Sequence, residues 1–138
     1  MPDQPAALLT AAARRLRAAA TLHGDPGPWV VHQANGFLRV GPIVKPRKGW
    51  TSHPGADLPE ERHDTAEYIA LMHPGVGLAV AAWLAQAART HRAAESAARR
   101  VWREDGDDEA RATFIAERTD HHALAVARAV LGQDGGQQ

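Results

Sequence analysis

Eight histidines and no cysteine in a chain of 138 residues make imidazole the first chemistry to weigh. The histidines stand at positions 23, 32, 53, 63, 73, 91, 121 and 122. A helical two-histidine metal site needs its ligands at i and i+3 or i+4, so that both face one cation. No two histidines have that spacing, and His121 and His122 would point about 100° apart on a helix. Mixed pairs do have it. His91 with Glu95, and Glu117 with His121, are both i, i+4, and two antiparallel helices would gather them into a set of two imidazoles and two carboxylates. That is the sharpest metal expectation here. Against it stands the plainer reading of weak side-chain pairs on solvated helix surfaces. His63-Asp64 and Asp120-His121 are sequence neighbours, which rarely orient an imidazole between a carboxylate and a nucleophile. No G-x-S-x-G or comparable nucleophile motif accompanies them, so no catalytic residue is assigned.

Two tryptophan-bearing stretches suit contact rather than catalysis. In "KPRKGW", residues 45 to 50, Lys45, Arg47 and Lys48 supply cations for phosphate and Trp50 an indole for stacking, the pairing used on single-stranded nucleic acid. A solvated basic loop with Trp50 folded back on the core is the competing reading. In "ARRVWRED", residues 98 to 105, Arg99, Trp102 and Arg103 combine the residue types typical of partner hot spots. Local cation–π and stem packing would account for the same residues. "EDGDDE", residues 104 to 109, lacks the alternating ligands and distal glutamate of a calcium loop and reads as a capped turn. Trp29 and Trp83 are expected to be buried, against each other or in one core.

The elements that position these residues follow from composition. Hydrophobic residues make up 44% of the chain but aromatics only 5%, and alanine supplies much of the difference. Alanine is the strongest helix former and buries little area, which predicts long, closely packed helices around a thin core. Lys+Arg and Asp+Glu both number 16 and are spread over both halves, without the basic surplus usual in nucleic-acid binders. The lack of cysteine excludes disulfides, thiol chemistry and cysteine-based zinc sites. No uncharged apolar run reaches the roughly 18 residues of a membrane span, and Met1–Gln4 carries no basic stretch of a signal peptide. A cytoplasmic protein without a membrane role is expected.

The predicted fold is α+β and mainly helical, a single domain over 1–138 in which a small antiparallel β-hairpin or meander packs on helices. Residues 5–22 form a helix with Leu9, Ala13, Leu16 and Ala20 on one stripe. Residues 29–45 read as strands around an Asn35-Gly36 turn, with 43–45 as a third, edge segment after Pro42. Residues 46–63 form a long loop. Residues 64–104 are helical, capped by Asp64 or Thr65 and broken at His73-Pro74-Gly75. There Pro74 opens the next helix and His73 serves the free carbonyls of the previous one. Val80, Trp83, Ala87, Thr90, Ala94, Ala97 and Val101 step as a heptad-like seam. Residues 108–131 form the C-terminal helix, capped by Asp107 or Asp108, with a restart at Thr119-Asp120 and an end at Gly132. Residues 133–138 are a tail. The last long elements therefore make an αα-hairpin.

Three segments resemble a known group. "GDPGPWVV" (24–31), "DTAEYIALMHPGVGLAVAAWL" (64–84) and "HALAVARAVLG" (122–132) are similar in layout to small proteins of actinobacterial phages, prophages and their hosts. More distantly they resemble the Ead-like early-region proteins of lambdoid phages. Those typically show T-P-G-P-W and then D-A-x-[FY]-I-A-x-x-x-P before an aliphatic helix; here Asp25 replaces the threonine and Thr65 is inserted after Asp64. The resemblance covers about a third of the chain and brings no catalytic residues, but it implies an accessory protein that binds something in the host cell.

The leading expectation is thus a non-enzymatic phage or mobile-element accessory protein that acts by protein–protein interaction on a host or phage protein and needs no cofactor. A homodimer through the helices is expected if the hairpin outreaches its small core. The alternative is a small-ligand or nucleic-acid binding module built on residues 45 to 50, and a metal-dependent enzyme comes third.

Overall fold

In the computed structural model, residues 4–22, 28–34, 36–42, 56–59, 62–103 and 107–133 are described. Five helices and three strands follow in the order α1 (Pro5–Thr21), β1 (Trp29–Ala34), β2 (Phe37–Pro42), β3 (Ala56–Pro59), α2 (His63–Leu71), α3 (Pro74–Val101), α4 (Asp108–Glu117) and α5 (His121–Leu131). The fold is mainly helical α+β, as the composition predicts. The chain divides into two compact units, Arg17–Ala79 and Met1–Leu16 with Val80–Gln138, so that α1 and α3 each contribute to both.

The Arg17–Ala79 unit is built on an antiparallel sheet of order β1-β2-β3. β1 and β2 pair with Ala34 opposite Phe37, across a turn that contains Gly36 at φ 81°. A positive φ favours glycine, so the Asn35-Gly36 hairpin forms where the dipeptide signals it. The third strand is not where the sequence suggests. It is Ala56–Pro59, inside the stretch expected to be a loop, and residues 43–45 lie outside the described residues. "ADLP" offers one large apolar side chain and a proline, too little for an alternating pattern to register. Pairing supplies what the pattern lacks. Leu58 sits opposite Leu38, and Asp57 Oδ1 accepts from Arg39 Nε at 2.9 Å on the other face.

Leu38 and Val40 are buried together with Ala66 of α2, and Trp29, Val31, Leu58, Ile69 and Ala70 pack around them. The alternation along β1 and β2 thus meets a face of α2 formed by Ala66, Ile69 and Ala70. Asp64 and Thr65 do not cap that helix: Arg62 is the N-cap, without a side-chain bond, and Asp64 lies in the first turn, where its charge favours the helix dipole. At the corner, Met72 ends α2 and Pro74 begins α3. His73 does not serve the α2 carbonyls. Its Nδ1 accepts from Gly75 N–H at 3.1 Å and its carbonyl accepts from Val76 N–H at 2.9 Å, so it satisfies the first donors of α3.

The other unit packs parts of α1, α3 and α5 around Leu9, Ala12, Ala13, Ala81, Leu84, Ala87, Ala88, Ala123, Leu124 and Ala127. Its three leucines supply the bulk and alanines the close approach. The buried stripe of α3 keeps part of the expected seam, since Ala87 and Ala94 are buried and Val80 packs on the core, while its other positions lie one residue on, about 100° around the helix. Ala81, Leu84, Ala88, His91 and Ala98 are the buried positions off the expected seam, whereas Trp83 on it is 39% and Val101 66% exposed. Phasing the stripe through Trp83 and Val101 weighted the bulkiest apolar residues, and alanines on neighbouring faces give little signal against that choice.

The C-terminal segment restarts where Thr119-Asp120 suggests. Asp120 caps α5 by accepting from Ala123 N–H, and Gly132 closes the helix at φ 72°. Gln133 N–H bonds Arg128 O at 2.9 Å and Gly132 N–H bonds Ala129 O at 3.2 Å, a Schellman ending. At the start of α4, Asp107 is the N-cap but makes no side-chain cap bond. No single helix among the described residues is long and apolar enough to cross a membrane; α2 and α3 reach that composition only jointly, across a bend.

Candidate functional site

The last turn of α3 and the whole of α4 build an open cleft in the Val80–Gln138 part of the chain. Trp102 N–H still bonds Ala98 O at 2.9 Å, so the indole leaves α3 with its final turn. Arg111 of α4 reaches back and donates from Nη2 to Trp102 O at 2.8 Å. A cation on a free terminal carbonyl also opposes the negative end of the helix dipole. With the two helices clamped, the Trp102 and Phe114 rings meet edge to face, centroids 5.3 Å apart at 63°. This is a favoured aromatic geometry.

Above the Phe114 ring lies the Arg118 guanidinium, its Cζ 3.6 Å from the centroid. Arg118 Nη1 also donates to Phe114 O at 3.2 Å and stands 3.8 Å from Glu117 Oε2. Trp102, Phe114, Thr113, Asp107, Glu109 and Arg118, with Glu117 beside them, line about 620 Å³ of open space. Asp107 and Glu109 are exposed, and neither is ion-paired among the described residues, whereas neighbouring Asp108 pairs with Arg111 at 3.3 Å.

Of the expected interaction residues, Trp102 is therefore half-buried and forms one wall. Arg99 and Arg103 are exposed and stand outside the lining; Arg103 Nε donates to Arg100 O at 3.2 Å. Phe114, Arg118, Asp107 and Glu109 were not singled out from sequence. The i, i+4 spacing of Phe114 and Arg118 was the available signal.

The four expected metal ligands do not assemble. His91 is buried and holds Glu95 Oε1 at 3.3 Å through Nε2 and Thr119 Oγ1 at 2.9 Å through Nδ1. Thr119 spends its own proton on Ile115 O at 2.7 Å, so it accepts from His91 Nδ1–H. His121 Nε2 is 3.1 Å from Ala116 O and is its donor. Among the described residues no three His, Asp or Glu side chains form a metal-binding group. His91 instead joins α3 to the α4–α5 junction. Trp83, expected in the core, is partly exposed, and Trp29 packs around the sheet core of the other unit, so the two do not share one. Lys45, Arg47, Lys48 and Trp50 lie outside the described residues.

The Arg17–Ala79 unit carries a second, mostly apolar hollow of about 510 Å³ between β1 and α2, lined in part by Val31, Ala70, Leu71 and His73. Tyr68, Leu71 and Met72 are exposed beside one another on α2, and the Glu67 carboxylate is taken by His63 at 3.4 Å. No family model, curated protein or solved structure matches the chain.

Proposed function

We propose that this chain is a non-enzymatic accessory protein of the phage and prophage kind that its P-G-P-W turn and "DTAEYIALMHP" segment resemble, and that it works by protein–protein contact through the α3–α4 cleft. One observation carries the reading: an aromatic pair, Trp102 and Phe114, lines an open cleft beside Asp107 and Glu109, two carboxylates without an ion pair among the described residues. Interfaces draw their affinity from a few aromatic and charged anchors in a pocket rather than from area. The α2 face is apolar too, but it has no aromatic pair like Trp102 and Phe114 among the described residues.

The test is affinity capture from an actinobacterial host lysate with the tagged chain and two surface variants. Thr113→Arg blocks the cleft from an exposed position and Leu71→Ser alters the exposed α2 face. A protein captured by the native chain and by Leu71→Ser, but lost with Thr113→Arg, supports the reading. Capture indifferent to Thr113→Arg contradicts it.

A further inference from the structure

We propose that the occupant of the α3–α4 cleft is a basic segment of the partner, an arginine flanked by apolar residues. This rests on the cleft being the contact surface. The chain's own Arg118 shows what the aromatic wall accepts. Its guanidinium sits over Phe114 with Cζ 3.6 Å from the ring centre, and the Glu117 carboxylate stands 3.8 Å from Nη1. A planar cation over an aromatic face beside a carboxylate is the arrangement in which guanidinium binds best.

The rest of the lining asks for more positive charge than Arg118 provides. Asp107, Glu109 and Glu117 set three carboxylates against one guanidinium in the same cleft. Asp107 and Glu109 face solvent without a cation among the described residues. A phosphate-bearing ligand would meet that charge unfavourably, whereas an incoming arginine would pair with it and lay its aliphatic stem on Trp102. Arg118 is itself 48% exposed, held by contacts within α4, and can swing clear. It therefore acts as an internal competitor for the seat, and removing it frees the Phe114 face.

Fluorescence anisotropy with a short labelled peptide alternating arginine and leucine tests this directly. The native chain binds it in a salt-dependent manner, Arg118→Ala binds it roughly three- to fivefold tighter, and Asp107→Asn with Glu109→Gln binds it weaker by a similar factor. The isosteric citrulline peptide, which keeps the shape and loses the charge, binds worse to every variant. Equal binding of the arginine and citrulline peptides overturns the inference, as does tighter binding of a glutamate peptide or a single-stranded oligonucleotide, or an Arg118→Ala variant that binds no better than the native chain. If the arginine peptide fails while Thr113→Arg still loses its captured partner, only the basic-segment inference falls. If capture is indifferent to Thr113→Arg, the contact reading falls instead.

Discussion

The indole N–H of Trp83 donates to Asp120 Oδ2 at 2.9 Å, and Oδ1 of the same carboxylate accepts from Ala123 N–H at 2.9 Å. One side chain therefore caps α5 and ties it to α3. Trp83 is partly exposed, and its indole N–H has this carboxylate as its partner. The Ala123 N–H, and then the Trp83 indole, hold the Asp120 carboxyl below its ordinary range, with His122 adding a smaller push in the same direction and burial opposing them.

Losing that carboxylate weakens the α5 start. Asp120→Ala should cost about 1 kcal/mol, the usual worth of a helix N-cap. The pH dependence follows from the sign of the shift. A carboxyl lowered on folding contributes its full stability above its unfolded value of about 3.9, and the contribution fades as pH falls through the lower folded value. Urea unfolding followed from pH 6 to pH 2.5 should show a smaller acid-side loss in Asp120→Asn than in the native chain. Parallel curves would refute the link.

The phase of α3 is tested by paired truncations. Leu84→Ala removes bulk from a core otherwise dominated by alanine and should cost about 2–5 kcal/mol. Val101→Ala, on the exposed side of the same helix, should stay within about 0.5 kcal/mol. A reversed order in thermal or urea unfolding would restore the seam through Val101.

His91 should behave as a structural residue. His91→Ala empties a buried position and removes the bond to Thr119 Oγ1, and should cost about 1–3 kcal/mol. Adding Zn²⁺ to the native chain should leave the unfolding midpoint unchanged, because both imidazole nitrogens are engaged and the Glu117–His121 pair stays apart. A midpoint that rises with Zn²⁺, and no longer does so in Glu95→Gln, would reinstate the metal site.

Much of this architecture is legible in the residues themselves, and the exceptions have physical reasons. Strong local signals located their features: Asn35-Gly36 the hairpin, Pro74 the corner, Thr119-Asp120 the restart and Gly132 the end of α5. Each is a backbone preference that distant contacts need not reinforce. The α3 stripe is only partly legible, with Ala87 and Ala94 on it and the bulkier Trp83 and Val101 off it, because alanine is too small to mark a face. β3 was missed because four residues with one leucine show no period until Leu38 and Arg39 pair with them.

The candidate site was half visible for the same kind of reason. Trp102 stands out by type, but its wall partner Phe114 belongs to another helix, and only the packing of α4 against the end of α3 brings them to 5.3 Å. His91 and Glu95 have metal-like spacing, yet the spacing alone could not reveal that Thr119 would take the second nitrogen.

The most direct measurement is site-specific photo-crosslinking in an actinobacterial lysate, the source the proposed function points to, with the photoreactive amino acid at Thr113 in the cleft or at exposed Ala93 on α3. If the cleft is the contact surface, Thr113 gives one discrete adduct that the arginine–leucine peptide competes away, and Ala93 gives none. Equal adducts from both positions, or none from Thr113, would contradict it.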